Sequence, residues 1–488
     1  MNAGMKTRLS SPGYSRTLVL LFILTLPFVN PWVRGDGVEY YAYVRTLIID
    51  GNLSFENEWQ ASNPTFKMTH LDAEGRVLPQ EYTRTGHVAN QASVGPSLLW
   101  APFFAVVHGI VRVSNRLGAH IPADGFSRPY IVSMAVITSL YGFLGLLLSF
   151  FLVRTHFEER WSFLATLGIW FASSLPVYMY FNPFWSHAHS AFSVALFLWY
   201  WNRTRGRRTK TQWVVLGLLA GLMIDNYYLN GMVLLVPLVE SLRCYWRAWK
   251  AAGRGIGEPE GLLLSNILFL CAIGVALLPT FVTRQVLYGS PFETGYGLSA
   301  WNWTHPALWQ VLFSSNHGLL SWTPILIPAL LGLFFLRKYD PEMAACFGLA
   351  FLGYYALVAA YPAWHGISAF GGRAFISLTP IFIVGLAATL TEIAQAIRGR
   401  RRVYAAACAG MAFIILWNLG FIFQWGMHLV PPRGPISWRE MAYNQIAVVP
   451  VRAMSACKDF LLRRQSLMNS IEDADRQQLR SKPARPGE

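Results

Sequence analysis

Charge is what this chain has least of. Only 13% of its 488 residues are Asp, Glu, Lys or Arg, about half the share with which a soluble domain clothes its surface. Acid is scarcest, with 25 acidic against 40 basic residues and a formal net charge of +15. Cysteine is rare too: Cys244, Cys271, Cys346, Cys408 and Cys457 lie scattered, mostly in or beside apolar runs. None has C-x-x-C or Cys/His spacing, which argues against a disulfide framework or a zinc site and leaves them as small apolar fillers. What abounds is apolar: 54% hydrophobic residues, 15% aromatics and 19 Trp. That balance excludes a soluble enzyme, a disordered chain and a small disulfide scaffold. An all-α polytopic membrane protein is the fold class it implies.

Apolar stretches able to span about 30 Å of hydrocarbon fall near 17–33, 130–153, 161–181, 187–202, 212–225, 230–242, 262–283, 319–336, 343–361, 375–395 and 403–424. The first follows Lys6, Arg8 and Arg16 like a signal peptide. No small-x-small cleavage site follows it, so it reads as a retained first helix. Short basic connectors at 154–160, 203–210, 243–254, 337–338 and 398–402, with the N-terminal segment, hold 20 of the 40 basic residues. Placing all of them on the cytoplasmic side requires an even number of spans between neighbours. Residues 212–242 then form two short helices turning at Asp225–Asn230, and 96–112 is a re-entrant or interfacial helix within a long external loop, 34–129. The expectation is eleven spans in a membrane domain, 1–424, with the N-terminus cytoplasmic. A tail, 425–488, lies outside and becomes low-complexity and partly disordered after about 470. Half the positive charge is thus topological, and a nucleic-acid partner is excluded.

The unusual polar residues gather on the external face. Gly35-Asp36-Gly37-Val38-Glu39-Tyr40-Tyr41-Ala42-Tyr43-Val44-Arg45 reads as an interfacial amphipathic helix with aromatic anchors, with Tyr41 a candidate substrate contact. Asp36, at its start, is either an N-cap or a general base at the water–lipid boundary; the roles are compatible. Arg284 and Arg373 stand at external helix ends, and Arg373 follows Phe-Gly-Gly, a backbone that lets a phosphate approach closely. Each is a phosphate ligand or a snorkelling side chain. His187, His317, Trp364 and His365 lie at three external turns and are candidate sugar or phosphate contacts, or hydrogen-bonded interfacial residues. Asp225 is a turn residue or a functional charge near membrane depth.

Asp36 with the following Tyr-Tyr-Ala and Arg45 resembles the first-loop motif of the GT-C superfamily of membrane glycosyltransferases. The nearer likeness is to bacterial relatives of dolichyl-phosphate-mannose–protein mannosyltransferases and lipid A aminoarabinose transferases. It extends through Asp50–Glu58, Asn90–Phe103, Leu287–Phe292, Leu312–Trp322 and Phe370-Gly-Gly-Arg373, about residues 15–395. The resemblance implies a GT-C-like bundle, catalysis on the outer face of a bacterial inner membrane, and a polyprenyl-phosphate-linked sugar donor. The acceptor would be a lipid, glycan or protein. It maps the family's first-loop aspartate onto Asp36 as base and its arginine onto Arg45, which with Arg373 is expected to bind the donor phosphate. The acidic pair common in the family is incomplete, because Gly37 follows Asp36. A divalent metal, if one is held, would fall to Asp36 and Glu39. The rival reading, a transporter or lipid flippase, requires charges deep inside spans, and the sequence offers few.

Overall fold

Proline decides which apolar runs become long helices. The structure is a computed structural model describing residues 13–206, 208–252, 260–296, 301–397 and 399–481. Lys6, Arg8, Arg207, Arg254 and Arg398 of the basic segments lie outside the described residues. The run 161–181 gives a helix only over Glu159–Phe171 and breaks before Pro176, where a single wide turn, Val177–Phe181, replaces it. The run 319–336 splits around Pro324 into Leu319–Trp322 and Leu326–Phe335. The run 262–283 bends by 46° where Leu277 and Pro279 interrupt it. Each break follows from proline's missing N–H and its clash with the preceding turn. Among the described residues, five helices are long and apolar enough to cross a membrane, and the bent pair makes up to six. The other stretches of the expected eleven are shorter or broken helices.

The longer helices are numbered in chain order: α1 Gly13–Thr25, α2 Asp36–Arg45, α3 Gly95–Arg116, α4 Arg128–Val153, α5 Glu159–Phe171, α6 His187–Thr204 and α7 Lys210–Asn226. They continue as α8 Leu235–Ala252, α9 Glu260–Ala276, α10 Leu278–Tyr288, α11 Leu326–Phe335, α12 Pro341–Ala360, α13 Thr379–Ala396, α14 Arg400–Gly426, α15 Val449–Leu462 and α16 Arg464–Ser481. The pairs α4–α6, α7–α9 and α11–α13 pack most extensively. The last of these closes glycine against glycine: a Cβ on Gly332 would run into the carbonyl of Gly385, the small-residue contact that lets helices approach in lipid. The segment Arg373–Ala396 is the centre of the bundle, with 89% of its apolar window buried. Outward faces stay apolar instead, as at Val106, Ile110 and Val113 of α3 and Leu263, Ile267 and Leu270 of α9. A soluble monomer does not expose so much apolar surface. The protein is an all-α polytopic membrane protein.

The segment 96–112 is one unbroken helix, α3, which runs through Pro102 to Arg116 and is long and apolar enough to span. It lies antiparallel to the first half of α4: Trp100 Nε1 donates to Thr138 Oγ1 (3.0 Å), and His108 Nδ1 meets the Tyr130 hydroxyl (2.8 Å). Residues 471–481 of the tail are helical, as the end of α16, and that amphipathic helix has a surface to pack on. Asn63 Nδ2 and the Thr65 amide donate to Glu472 (2.9 and 2.6 Å), while Arg464 donates to the carbonyl of Val29 (2.6 Å). The tail therefore lies on the same side as the first loop.

Candidate active site

The site begins where α1 ends. The chain turns at Leu26–Phe28 and runs irregularly to Gly35, whose φ of +52° is a conformation open to glycine. The backbone carbonyl of Arg34 accepts from the Trp185 indole (3.1 Å), which fixes this approach. Gly35 occupies the cap position of α2 and Asp36 is its first helical residue, making no side-chain cap bond. The capping role expected for Asp36 is therefore absent, although the helix N-terminus still favours its charge.

Its carboxylate instead meets Arg373, Nη1 to Oδ2 at 2.9 Å. Arg373 arrives from the opposite end of the sequence, after Gly371 (φ +59°) and Gly372 and ahead of α13. The backbone N–H of Phe370 donates to the Tyr178 hydroxyl (3.2 Å), which holds the Gly-Gly turn. The guanidinium lies 4.4 Å above the Trp185 ring, an arrangement that suits a planar cation. Asp36 keeps 46% of its side chain exposed, so its carboxylate remains open to the cavity beside it.

Gly37 explains the missing second acid. A Cβ there would sit 2.8 Å from Phe184 Cβ and 3.2 Å from the Trp185 ring, so α2 presses on the 184–185 turn too closely for a side chain. The next acid is Glu39, half-buried and lining the same cavity. Burial, then the charge of Asp36, push its carboxyl up to about 8, against the pull of Arg284.

That cavity holds about 650 Å³, within the range of small-molecule sites, and its lining is mixed. Arg34, Asp36, Glu39, Arg373 and Asp475 are among its charged residues; Phe28, Phe181, Leu419, Ile422, Phe460 and Ile471 are among its apolar ones. Most of the apolar lining comes from α14, α15 and α16, with Phe28 and Phe181 beside them. Asp475 of α16 pairs with Arg34 (2.6 Å) and His428 (3.2 Å). Burial pushes its carboxyl upward, but His428 and Arg34 outweigh that and hold it below the usual aspartate value.

Other candidates stand elsewhere. Arg45 is buried and saturated: it binds Asp50, Glu58 (2.9 Å) and the Asp124 carbonyl (2.9 Å). Arg284, 1% exposed, donates to the carbonyls of Asn90 (2.6 Å), Gln91 (3.2 Å) and Ala92 and to the Tyr228 hydroxyl. It clamps the 90–92 segment and does not line the cavity. Tyr41 is buried with its hydroxyl on the Gly125 carbonyl (2.6 Å). His187 is buried among Tyr178, Trp185 and Tyr227, directly behind the Arg373 platform. His317 lies tilted against Trp322 with centroids 4.4 Å apart, and burial, reinforced by His365 and Arg373, lowers it to about 3. His365 accepts from the Ile367 amide (3.1 Å), and burial and Arg373 lower it too. Trp364 packs edge-on against it. Gly366, next in that turn, backs onto the Arg373 side chain. Asp225 is buried at the end of α7, accepting from Thr280.

Among the described residues, no three His, Cys, Asp or Glu side chains come together as a metal site. Asp36, the first candidate ligand, already has a cationic partner. These residues do not fit a divalent ion.

No family model matches the sequence, and no curated protein matches it. Solved structures that align with it include ArnT from Cupriavidus metallidurans in the apo state, at 13% identity over 94% of this chain and 74% of that chain, with a TM-score of 0.48. ArnT from Cupriavidus metallidurans bound to undecaprenyl phosphate aligns at 12% identity over 95% of this chain and 74% of that chain, also with a TM-score of 0.48.

Proposed function

We propose that this chain is an inverting glycosyltransferase that moves a sugar from a polyprenyl-phosphate donor to an acceptor hydroxyl or amine at the external face of a bacterial inner membrane. The observation that carries this reading is the Asp36–Arg373 ion pair in a cavity whose lining also holds many apolar side chains. A lipid phosphate needs both. The isoprenoid chain removes apolar surface from water against Leu419, Ile422 and Phe460. The phosphate meets a guanidinium whose five donors serve two oxyanions at once.

A sugar phosphate already carries a good leaving group, so catalysis consists mainly of positioning and charge stabilisation. The acceptor oxygen attacks the anomeric carbon from the face opposite the phosphate. The carbon–oxygen bond to phosphate breaks, its electron pair passes to the phosphate, and Arg373 stabilises the added charge. Asp36 takes the acceptor's proton. Trp185 keeps the guanidinium flat and oriented, and no step is routed through a metal.

The test is transfer from a polyprenyl-phosphate sugar by reconstituted Asp36→Asn protein, with correct insertion checked separately. Loss of turnover with retained donor binding is expected. Wild-type turnover by the folded variant would falsify the assignment of the base.

A further inference from the structure

The tail wears its polarity inside out. Gln445 turns toward α14, where its Nε2 donates to the carbonyl of Trp417 (3.1 Å) and its Oε1 accepts from the buried Gln424 (2.7 Å). Gly420 makes room for it, since a Cβ there would collide with the Gln445 amide. Asn444 Nδ2 donates to the carbonyl of Leu429 (3.0 Å). Their neighbours Tyr443 and Ile446 are exposed, and α15 continues the pattern: Val451, Met454 and Leu462 are all at least 74% exposed. Ala453, Ala456 and Phe460 of the same helix line the first cavity. A water-facing helix puts its polar residues outward; α15 is apolar toward the cavity and apolar away from it.

Depth identifies what covers the outer side. Trp417 stands nine residues before α14 ends at Gly426, about 13 Å along the helix axis. The tail around Gln445 therefore lies beside the last turns of a helix long and apolar enough to span. There α14 itself presents Phe413 and Leu416 outward. The far end of α15 reaches the close of α1. Phe460 packs between Phe28 and Phe181, with centroids 6.4 and 5.7 Å away, and Arg464 donates to the carbonyl of Val29 (2.6 Å). At its own end α1 presents Ile23 and Leu24 outward. The apolar outer side of α15 thus joins two helices whose outward residues are apolar too.

The charges complete the pattern. Arg452, Lys458 and Arg463 are exposed, against a single acid in the helix, Asp459. Among the described residues the ion pairs of the tail use His428, Asp473, Asp475 and Arg476, and these three cations are left unpaired. Long cationic side chains beside an apolar helix face reach up to lipid phosphates.

We infer that α15 is embedded in the bilayer leaflet on the first-loop side, its outer face among acyl chains and Arg452, Lys458 and Arg463 on the phosphates of anionic lipid. The helix then partitions the bilayer from the first cavity. This inference rests on the membrane fold and not on the transfer chemistry.

The experiment places the full-length protein in nanodiscs of phosphatidylglycerol and phosphatidylcholine in equal amounts, brominating one lipid at a time. A bimane label is attached at Met454→Cys or Val451→Cys after the five native cysteines are replaced by alanine, with assembly checked by monodispersity. Leu416→Cys on α14 is the lipid-facing reference, and Glu74→Cys, exposed in the first loop, the water-facing one. Both α15 labels should be quenched as the Leu416 label is. Phosphatidylglycerol should act as if enriched about fivefold, the effect of about one cation at an anionic surface. Replacing Arg452, Lys458 and Arg463 together by Gln should bring that preference to parity while quenching persists. Quenching no greater than at Glu74, whether water or a second copy of the chain covers the helix, would overturn the proposal. So would a wild-type preference below about twofold, or one unchanged in the triple variant. No turnover is needed, and Asp36→Asn protein should be quenched as the wild type is, so failure of the transfer chemistry and failure of this docking are told apart.

Discussion

Replacing Arg373 by alanine tests the proposed mechanism most directly. The guanidinium sits 2.9 Å from Asp36 and 4.4 Å above Trp185, and only its planar fork reaches both. Two unit charges about 4 Å apart interact by about 4 kcal/mol at an effective dielectric of about 20. Loss of one preorganised donor to a developing oxyanion costs about 2.7–4 kcal/mol, or 10²–10³ in rate. Arg373→Ala should therefore lower kcat/KM by about 10²–10³. Folding should change little, because Asp36 is 46% exposed and its freed charge is screened by water. Arg373→Lys keeps the charge but loses the fork and the stacking, and should fall between the two. The assay is transfer of labelled sugar from a polyprenyl-phosphate donor in proteoliposomes, with insertion checked by size-exclusion profile. A monodisperse Arg373→Ala protein with kcat/KM within about threefold of wild type, less than 1 kcal/mol, would refute the role of this cation. A double mutant with Asp36→Asn should show strong non-additivity, since the two act as one unit.

Other expectations concern the surroundings. Gly37→Ala puts a methyl group 2.8 Å from Phe184 Cβ; it should shift the start of α2 and reduce turnover at least about tenfold, the cost of misplacing a reacting group. Arg284→Ala leaves the carbonyls of Asn90, Gln91 and Ala92 without their buried donor and should destabilise the protein by about 1–3 kcal/mol for a buried acceptor left unsatisfied, seen as a lowered melting temperature. Glu39 carries a pH signature. Its carboxyl is raised from 4.5 to about 8, so the folded protein keeps a proton that the unfolded chain has released. Stability from this group falls as pH rises through that window. Ionised Glu39 also adds negative charge beside the phosphate end, so turnover should drop above about pH 8 and Glu39→Gln should flatten that drop. Asp475→Ala removes the partner of Arg34 and His428; faster limited proteolysis of the tail is expected, with a loss of about 1–2 kcal/mol.

The sequence showed which residues were unusual better than it showed which of them meet. Asp36 and Arg373 stand out because a charge at an apolar boundary needs a reason, and the fold joins them across more than three hundred positions. Arg45 and Arg284 carry the same surface signal. Their donors are nevertheless spent on an acid pair and on backbone carbonyls, a distinction only packing makes. The stretches 212–225 and 230–242 divide at Asp225–Asn230 as basic connectors and turn chemistry require, with α7 ending at Asn226 and α8 starting at Leu235. The stretches 161–181 and 319–336 look continuous to a hydropathy window, yet Pro176 and Pro324 break them locally. Arg34 was missed because its partner, Asp475, lies 441 residues away in a segment whose polar composition resembles disorder.

The pairing of Asp36 with Arg373 gives the guanidinium a built-in counterion. An anion arriving there must share the guanidinium with a carboxylate already in place, so free phosphate or sulfate gains little by entering. A ligand that also brings a long apolar chain recovers that deficit along the α14–α15 wall. Under the proposed reading a donor's lipid tail would then do more than tether it: it would be the condition for occupancy, and soluble sugar phosphates would be turned away without any gate.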